Sequence, residues 1–428
     1  DAAAELGIKD LRWFPSAAFP CHAPIIGHMD NGVVRWIEGS LNGPLGHYAS
    51  FGKMKGTAVL RSHGGRWQAI QDGDIHIDIA VLAAPTADAF GNATGDRGPS
   101  ACGSLNFGLA DSRYADKVIV VTDNLVPFPC LPWQVQGNDV DFVVEVEQVG
   151  IPEKIVSGTT RITRSPDRLL IAELTARFIR ATDQYRPGFS LQAGAGGTAL
   201  ATAIYLRDYM IEDDVKASFM RGGSTKYLVK MLEEGLTGCI LDGQTFDLEG
   251  VRSIRENPRH VPTSPFTSYN WHGKGNFASM VDFVVLGATE VDVDYNANVV
   301  THSDGMMLHG IGGWQNCLSA NVTILPIPSF RNRIPVLVDE VTTLVGPGEL
   351  IDVIVTERGI AINPRRPELI ARAKKAGLPV RTIEEIKAEV ENLCGGKPEK
   401  PRVTDQVIGV VKWVDGSLID CVYGVEEG

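Results

Sequence analysis

The sequence predicts an α/β protein made of two related halves, and three observations lead to this prediction. The stretch Asp78–Asn92 (DIAVLAAPTADAFGN) has a gap-free echo 204 positions later, at Asp282–Asn296 (DFVVLGATEVDVDYN). A second stretch, Tyr114–Asp123, resembles Phe330–Asp339 at an offset of 216. Glycine-rich turns also join apolar segments to helical ones in the second half. We therefore expect an internal duplication, with domains at residues 1–185 and 186–428.

Each copy of the first echo begins with an apolar run that lacks polar alternation. Such a run is typical of a strand that is buried on both faces. An Asp/Gly/Asn turn follows, where side chains tolerate a left-handed backbone. Two buried strands share some residues by chance, but the unbroken spacing favours duplication. The recurring residues are Asp78, Val81, Leu82, Ala84, Asp88 and Asn92, matched by Asp282, Val285, Leu286, Ala288, Asp292 and Asn296.

Composition excludes several classes of protein. A chain of 428 residues with 44% apolar and 21% charged residues suits a soluble protein of two domains. No apolar run approaches the ~20 residues that a membrane span needs, and no signal peptide is visible. A net charge of −12 argues against nucleic acid or an anionic membrane as partner. The chain opens at Asp1 within a helix-like stretch, so we expect a segment before it.

The seven cysteines are odd in number, scattered, and never spaced CxxC. This usage predicts reduced thiols in a cytoplasmic protein and argues against a zinc site built from cysteine. His22, His28 and His47 also lack the spacing of metal ligands, so we expect no metal. For Cys102 we favour a packing role over a nucleophilic one, because no His or Asp is visibly paired with it.

Further elements follow along the chain from local patterns. Strands are predicted at 75–84, 118–121, 140–146 and 215–219, and a strand followed by a turn is predicted at 351–360. Helices are predicted at 167–181, after the N-cap pair Ser165-Pro166, and at 226–234, 368–376 and 382–392. The tail at 407–423 predicts a hairpin around Asp415-Gly416.

Glycine-rich turns are the candidate binding elements. Ser62-His63-Gly64-Gly65-Arg66 lets the backbone approach a ligand, although a polar turn without a ligand fits equally well. The turn Gly194–Gly197 enters an Ala/Leu-rich helix and would present N–H groups to an anion, or serve only as a tight βα turn. Ligands of open α/β sheets bind at the carboxyl ends of strands. The residues alone therefore predict a protein that binds an anionic acyl or phosphoryl species between two α/β halves.

A family resemblance adds detail to this prediction. The segments on which the resemblance rests are Cys21–Pro24, Asn31–Val34, Gly43–Leu45, Ser62–Arg66, Phe90–Ala93, Gly188–Ser190, Gly194–Gly197, Ser303–Gly305, Arg333–Pro335, Val355–Glu357 and Gly359–Ala361. With these, nearly the whole chain resembles the citrate lyase α-subunit family of CoA-transferases. The resemblance implies two CoA-transferase-like α/β domains and a cytoplasmic enzyme. That enzyme would exchange acetyl for citryl on a carrier thioester.

This sequence departs from the CoA-transferase pattern at three places. The first is the family's opening strand and glycine turn, which we expect before Asp1. The second, the lack of a nucleophilic Glu, is shared by the citrate lyase branch. Glutamate-dependent CoA-transferases carry a nucleophilic Glu after the strand that corresponds to 215–219, where this chain has Met220-Arg221-Gly222-Gly223. We therefore expect direct attack of a substrate carboxylate on the thioester, without a glutamyl thioester. Where Gly-Gly-His is expected, Gly312-Gly313-Trp314 stands, so another carboxylate than citrate stays open.

Roles follow from chemistry and resemblance together. The predicted oxyanion donors are Gly196, Gly197, Gly312 and Gly313, with Glu290 as a polar catalytic residue or a structural one. Arg66, Arg221 and Ser224 are predicted to meet carboxylates, and Arg331 and Arg333 an acidic carrier protein. The remaining predicted binding residues are Ser62, His63, Gly64, Gly65, Asn92, Gly194 and Asn298. Asn92 and Asn298 would hydrogen-bond the acyl group or only hold turns.

The resemblance also implies partners. They are an acyl carrier protein with CoA or a CoA-like prosthetic group, a lyase subunit, a small carboxylate, and further copies of the chain. Two other interpretations stay open. One is a CoA-transferase or thioesterase that acts on another carboxylate, and the other is a non-catalytic ligand-binding subunit.

Overall fold

The computed structural model describes residues 1–155, 160–194, 196–270 and 275–426. The helices are α1 (Ala2–Glu5), α2 (Ile25–Asp30), α3 (Pro44–Ser50), α4 (His63–Gln71), α5 (Gly108–Tyr114), α6 (Pro166–Ala181), α7 (Gly197–Glu212), α8 (Lys226–Glu233), α9 (Leu248–Glu256), α10 (Pro265–Ser268), α11 (Trp314–Cys317), α12 (Pro367–Lys375) and α13 (Ile383–Cys394). Within these ranges no helix is long and apolar enough to span a bilayer.

The strands are mostly short. They are β1 (Leu11–Trp13), β2 (Ala17–Ala18), β3 (Val34–Ile37), β4 (Ser40–Leu41), β5 (Ala58–Leu60), β6 (Ile79–Ala83), β7 (Thr86–Asp88), β8 (Ala93–Thr94), β9 (Lys117–Thr122), β10 (Leu125–Val126), β11 (Phe142–Glu145), β12 (Ser190–Ala193), β13 (Ala217–Ser224), β14 (Thr237–Thr245), β15 (His260–Pro262), β16 (Phe283–Val285), β17 (Glu290–Asp292), β18 (Ala297–Asn298), β19 (Val322–Pro326), β20 (Phe330–Arg331), β21 (Ile334–Pro335), β22 (Leu337–Val338), β23 (Val353–Thr356), β24 (Gly359–Ile362), β25 (Val380–Arg381), β26 (Val403–Lys412) and β27 (Leu418–Val425). The predicted α/β class is confirmed.

Contacts divide the chain into two compact units. The first comprises residues 1–66, 287–319 and 323–428, and the second comprises 67–286 and 320–322. The domain boundary predicted between 185 and 186 lies inside the second unit, between α6 and β12. The division into two related halves therefore stays a prediction from the sequence.

The second unit is built on parallel strands. Its larger sheet has the order β15-β14-β13-β12-β16, and two three-stranded sheets have the orders β11-β9-β6 and β10-β7-β8. In the larger sheet Gln192 of β12 lies beside Arg221 of β13 and beside Val284 of β16. Parallel strands need crossover connections, which α7 and α8 provide between β12, β13 and β14. The apolar side chains of β16 are completely buried, as predicted.

The first copy of the echoed strand is not buried on both faces, so that part of the prediction is wrong. Ile79 and Val81 of β6 are 61% and 64% exposed, whereas Ala80 between them is buried. The reason is that one face of its three-stranded sheet is open to solvent, since Phe142 and Val144 of β11, on the same face, are 56% and 43% exposed. Among the described residues, the face that carries Ile79 and Val81 has no covering element.

The first unit combines parallel and antiparallel pairs. Strand β19 pairs with β23 in parallel, β23 with β24 in an antiparallel hairpin, and β24 with β25 in parallel. The predicted tail hairpin is confirmed as β26 and β27, and β26 also pairs with β5 in parallel. Helix α13 is confirmed as well. Its N-cap Thr382 accepts a hydrogen bond from the backbone of Glu385, whose side chain accepts one from Thr382 in return.

The two echoed turns have the same hydrogen bonds. In the first, the Asp88 carboxylate accepts from the backbone and side chain of Asn92, whose side-chain oxygen accepts from the N–H of Gly137. In the second, Asp292 accepts from Asn296 in the same way, and the oxygen of Asn296 accepts from the N–H of Gly348. This shared geometry supports the hypothesis of an internal duplication.

The second predicted echo is wrong in its alignment. Tyr114–Asp123 contains the continuous strand β9, whereas Phe330–Asp339 forms the short strands β20, β21 and β22. The structural counterpart of β9 is β19. The N–H of Lys117 donates to the carbonyl of Asp78, and the N–H of Val322 donates to the carbonyl of Asp282. The two segments are similar in sequence because both contain Val and Ile, but they are not structurally equivalent.

Candidate active site

The predicted binding segment Ser62–Arg66 forms the start of α4. Ser62 caps the helix, because its hydroxyl accepts from the N–H of Gly65 at 3.0 Å. The N–H of Gly64 donates to the side-chain oxygen of Asn316 at 3.0 Å, and that of His63 to the carbonyl of Gly312 at 2.8 Å. The first amides of this helix are therefore already occupied by the protein itself, contrary to the expected approach to a ligand.

The same bonds bring two predicted segments together in the first unit. Gly312 has a φ of +61°, a conformation that favours glycine, and a side chain there would contact the His63 ring. Gly313 is the N-cap of the four-residue helix α11, which carries Asn316. Trp314, found where His was expected, donates from its indole N–H to the carbonyl of Gly287 at 2.8 Å.

Charges around α4 are partly buried. Burial and, to a smaller extent, the nearby Arg66 guanidinium together lower the pKa of His63 to about 4, so the ring is neutral at pH 7. Arg66 donates to the carbonyl of Phe14 at 2.7 Å. Glu38 pairs with Arg61 at 2.9 Å, and burial raises the pKa of Glu38 although Arg61 opposes the shift. Sequence analysis missed Glu38, whose neighbours carry no motif.

Glu290 and Asn298 belong to a buried polar network. The Glu290 carboxylate accepts from the Asn298 amide at 3.1 Å and from the N–H of Thr342 at 3.0 Å. Asn298 also bonds Thr301 through its amide and its oxygen. Both side chains are nearly inaccessible to solvent. This arrangement corresponds to the structural alternative considered for Glu290.

Asn92 is likewise occupied within its turn, as the echoed hydrogen bonds show. Arg331 donates to the carbonyls of Ala288 and Thr289, so its guanidinium holds the backbone. Arg333 lies exposed in the β20–β21 hairpin turn. Of the two arginines predicted to meet a carrier protein, Arg333 is exposed, whereas Arg331 is partly buried and bonded to the backbone.

The turn after β12 in the second unit presents unoccupied amides. Gly194 follows the strand and donates to the carbonyl of Val285 at 3.0 Å. Gly196 is the N-cap of α7, with no side-chain cap, and Gly197 is its first residue. Among the described residues, the N–H groups of Gly196, Gly197 and Thr198 donate no hydrogen bond. Because α7 has 16 residues, its amino end carries the full partial positive charge of a helix.

Arg221 lies on the strand beside this turn. The sequence predicted a turn from Met220 onward, but β13 continues to Ser224 with an irregular register at Gly222. The strand continues because pairing with β14 is kept, and Gly222 adopts a φ of +102° there. Arg221 is buried and donates to the side-chain oxygen of Gln192 at 2.7 Å. Ser224 instead donates to Asp242 at 2.8 Å.

Gln192 and Tyr269 were missed as site residues. The Arg221 guanidinium lies 4.9 Å from the centre of the Tyr269 ring, and Gln192 faces it from the neighbouring strand. A sequence pattern of alternate strand positions would have placed Gln192 on this face. Tyr269 comes from a long loop without a pattern. One exposed group of metal-ligand types occurs in the described residues, His76, Asp78 and Asp116.

Comparisons with known proteins agree with this architecture. A family model described as "Citrate lyase, alpha subunit (CitF)" matches residues 1–425. The citrate lyase alpha chains of Klebsiella pneumoniae and Escherichia coli (strain K12) are 41% and 40% identical. The alignments cover 99% and 100% of this chain and 84% of each relative.

Solved structures give the same result. A crystal structure described as the alpha subunit of citrate lyase from Streptococcus mutans, in complex with citrate, is 43% identical with a TM-score of 0.96, and the match covers 99% of this chain and 84% of that one. A Pseudomonas malonate decarboxylase hetero-tetramer in complex with malonate is 19% identical, with a TM-score of 0.66. That match covers 92% of this chain and 86% of the other chain, and it shows the fold alone. From the family model and these relatives, we conclude that the chain belongs to the citrate lyase alpha-subunit family.

Proposed function

We propose that this chain is an acyl-carrier transferase that converts an acetyl thioester and citrate into a citryl thioester and acetate. Membership of the citrate lyase alpha-subunit family over residues 1–425 carries the proposal. The relative from Streptococcus mutans, at 43% identity, is described in complex with citrate, which supports citrate as the carboxylate.

The proposed chemistry proceeds in two acyl transfers. A citrate carboxylate oxygen attacks the thioester carbonyl carbon, and the tetrahedral intermediate collapses with loss of the carrier thiolate. The mixed anhydride of acetate and citrate that remains is attacked by the thiolate at its citryl carbonyl. Acetate leaves, and the citryl thioester is formed. Each step places negative charge on a carbonyl oxygen, so the protein accelerates it by donating N–H groups there.

The amino end of α7 is the proposed oxyanion site. Its support is that the N–H groups of Gly196 and Gly197 donate to no described residue, whereas those of His63, Gly64 and Gly65 in α4 are occupied. We assign Gly312 and Gly313 a positioning role, since the Gly312 carbonyl holds the N–H of His63. Gly194 lies two residues before Gly196, and its own N–H donates to the carbonyl of Val285, so we assign it a positioning role as well.

No covalent enzyme thioester is needed in this mechanism. The strand position that would carry a nucleophilic Glu holds Met220 and Arg221, and an arginine cannot form a thioester. The Asp242 carboxylate on the neighbouring strand accepts hydrogen bonds from Ser224, Thr245 and the backbone of Gln244, so it is not an available nucleophile.

The proposal includes partners and location. The carrier is an acyl carrier protein whose CoA-like prosthetic group holds the acyl thioester, and exposed Arg333 is a candidate contact for its acidic surface. A lyase subunit would cleave the citryl product, and copies of this chain would assemble together. A cytoplasmic location fits its seven free thiols.

Acetate release tests the function. The protein is incubated with acetyl-carrier protein and citrate, or with acetyl-CoA and citrate, and labelled acetate is measured. We expect citrate-dependent release from the carrier thioester, and no enzyme-bound acyl group by intact mass after acid quench. Release from acetyl-CoA with citrate, but not from the acetyl-carrier protein with citrate, would favour a transferase for free CoA. Failure with every thioester would contradict the proposal and favour a ligand-binding subunit.

A further inference from the structure

Arg221 is a buried cation with one unoccupied edge. Its side chain is 1% exposed, and one terminal nitrogen, Nη1, donates to Gln192. The other two nitrogens, Nε and Nη2, are buried without a hydrogen-bond partner among the described residues. Buried guanidinium groups are normally paired, because an unpaired charge is costly to remove from water. The free edge is therefore suited to an anionic ligand.

The protein supplies no counter-ion of its own in the described residues. Arg221 forms no ion pair with any described carboxylate. The acid nearest in strand register, Asp242, follows the residue that pairs with Arg221 on β14, and hydroxyl groups and backbone already bond to it. Nothing in this network can turn to neutralise Arg221 without breaking those bonds.

The geometry of the free edge selects the ligand chemistry. Nε and Nη2 lie side by side in the guanidinium plane and match the two oxygens of a carboxylate. Gln192 fixes one side of this plane, and the Tyr269 ring, 4.9 Å away, covers a face. Because both contacts orient the group, a carboxylate would meet a preorganised fork rather than a mobile side chain.

Position relates this fork to the proposed chemistry. Gln192 is two residues before Gly194 and four before the unoccupied N–H of Gly196. The fork and the proposed oxyanion site therefore arise from the same strand end, within the second unit. A carboxylate held by two charge-assisted hydrogen bonds is a poor nucleophile, so the group at Arg221 is not the one that attacks.

We infer that Arg221 binds a non-reacting carboxylate of a di- or tricarboxylate substrate and leaves another carboxylate of the same molecule free to attack. This inference rests on the proposed function for the identity of the reaction, but its binding step is independent of turnover. It makes Arg221 the residue that separates polycarboxylates from acetate. Gln192 and Tyr269 act through it as positioning residues.

The test compares Arg221→Met with Arg180→Met as a matched control. Arg180 also stacks on a tyrosine, Tyr209 at 4.6 Å, but its guanidinium is paired with Glu212 and Asp213 on the surface. Binding of citrate, tricarballylate and acetate is measured by calorimetry on the whole chain. We expect Arg221→Met to raise the citrate and tricarballylate Kd at least ~30-fold and to leave acetate unchanged. Arg180→Met should change none of the three.

Thermal unfolding supplies a second readout. Replacing a buried unpaired charge by an apolar group of similar length should leave the Tm unchanged or raise it. Citrate should raise the Tm of the wild type and of Arg180→Met, but not that of Arg221→Met. Arg221→Lys keeps the charge without the fork, so it should fold and still bind citrate more weakly than the wild type.

Three results would overturn the inference. They are citrate binding by Arg221→Met within about threefold of the wild type, equal losses in the Arg180→Met control, or no binding of any polycarboxylate to the wild type. A wild type that binds citrate through Arg221 but releases no acetate would refute the proposed function alone. A wild type that releases acetate while Arg221→Met binds normally would refute only this inference.

Discussion

At the scale of single residues, Gly196 offers a clean test of the oxyanion site. Its φ of −69° matches the value that proline fixes, and a side chain there would meet no atom within 4 Å. Gly196→Pro therefore removes one N–H with little strain. We expect kcat/KM for acetate release to fall ~10²-fold or more, with little change in Tm.

Gly196→Ala is the companion variant, since it adds a methyl group but keeps the N–H. Its loss should be at least ~10-fold smaller than that of Gly196→Pro. Equal activities of the two variants would show that this amide does not act on the reacting oxygen. Gly197 is unsuitable for such a test, because a side chain there would lie 2.8 Å from the carbonyl of Arg161.

His63 makes a pH-dependent contribution to stability. Its pKa is about 4 in the folded chain and about 6.5 when unfolded, so between these values the unfolded state binds the proton. Stability from this residue is full above pH 6.5 and is lost as pH falls toward 4. Between pH 7 and 5 the loss should be about 2 kcal/mol, measured as the difference between wild type and His63→Gln in urea unfolding. Parallel pH profiles of the two proteins would contradict this expectation.

At the scale of elements, the Asp88 turn shows how one carboxylate organises a loop. It accepts from the N–H groups of Phe90, Gly91, Asn92 and Cys130, besides the Asn92 amide. These bonds also hold the pKa of Asp88 below its usual value, although burial opposes them.

Asp88→Ala leaves several buried donors without an acceptor. We expect it to lower the free energy of unfolding by at least about 3 kcal/mol, measured by urea titration. Asp78→Ala, at the exposed start of the same echo, should change it by less than about 0.5 kcal/mol. If the two variants were equally stable, the turn would not depend on its carboxylate.

Most elements could be predicted from local patterns, and the exceptions have physical causes. Caps and amphipathic spacing were enough for α6, α12 and α13, whose ends differ from prediction by one or two residues. The extent of β13 could not be predicted, because glycines suggest a turn whereas pairing with two neighbours keeps them in a strand. The exposure of Ile79 and Val81 in β6 depends on which face of the sheet is covered, and no local pattern contains that information.

The sequence was sufficient to suggest some residues of the candidate site, but not the contacts that those residues make. Arg221 was found because an arginine beside glycines suggests an anion, but Gln192 and Tyr269 required the fold. Ser62, Gly64 and Gly65 had the composition of a ligand-binding loop and turned out to be bonded within the first unit. Hydrogen-bond occupancy is a property of the folded chain, so sequence alone could not separate these cases.

At the scale of the whole molecule, all seven cysteines are free, and Cys21 is the exposed one. We expect the Tm to be the same with and without a reducing agent, and a thiol reagent to modify Cys21 first under native conditions. Burial raises the pKa of Cys102 to about 11, so this thiol should react slowly at pH 8. Rapid modification of Cys102, followed by mass spectrometry, would contradict this expectation.

The contrast between α4 and α7 has a consequence for how glycine motifs are interpreted. Each helix has two adjacent glycines at its start, yet the first amides of α4 donate to Gly312 and Asn316, whereas those of α7 donate to no residue that the structure describes. The partial positive charge at the start of α4 therefore already faces acceptors of the protein, whereas that at the start of α7 remains available to an anion. An anion would therefore be attracted to the backbone at the start of α7 rather than at α4, even without any contact with a side chain.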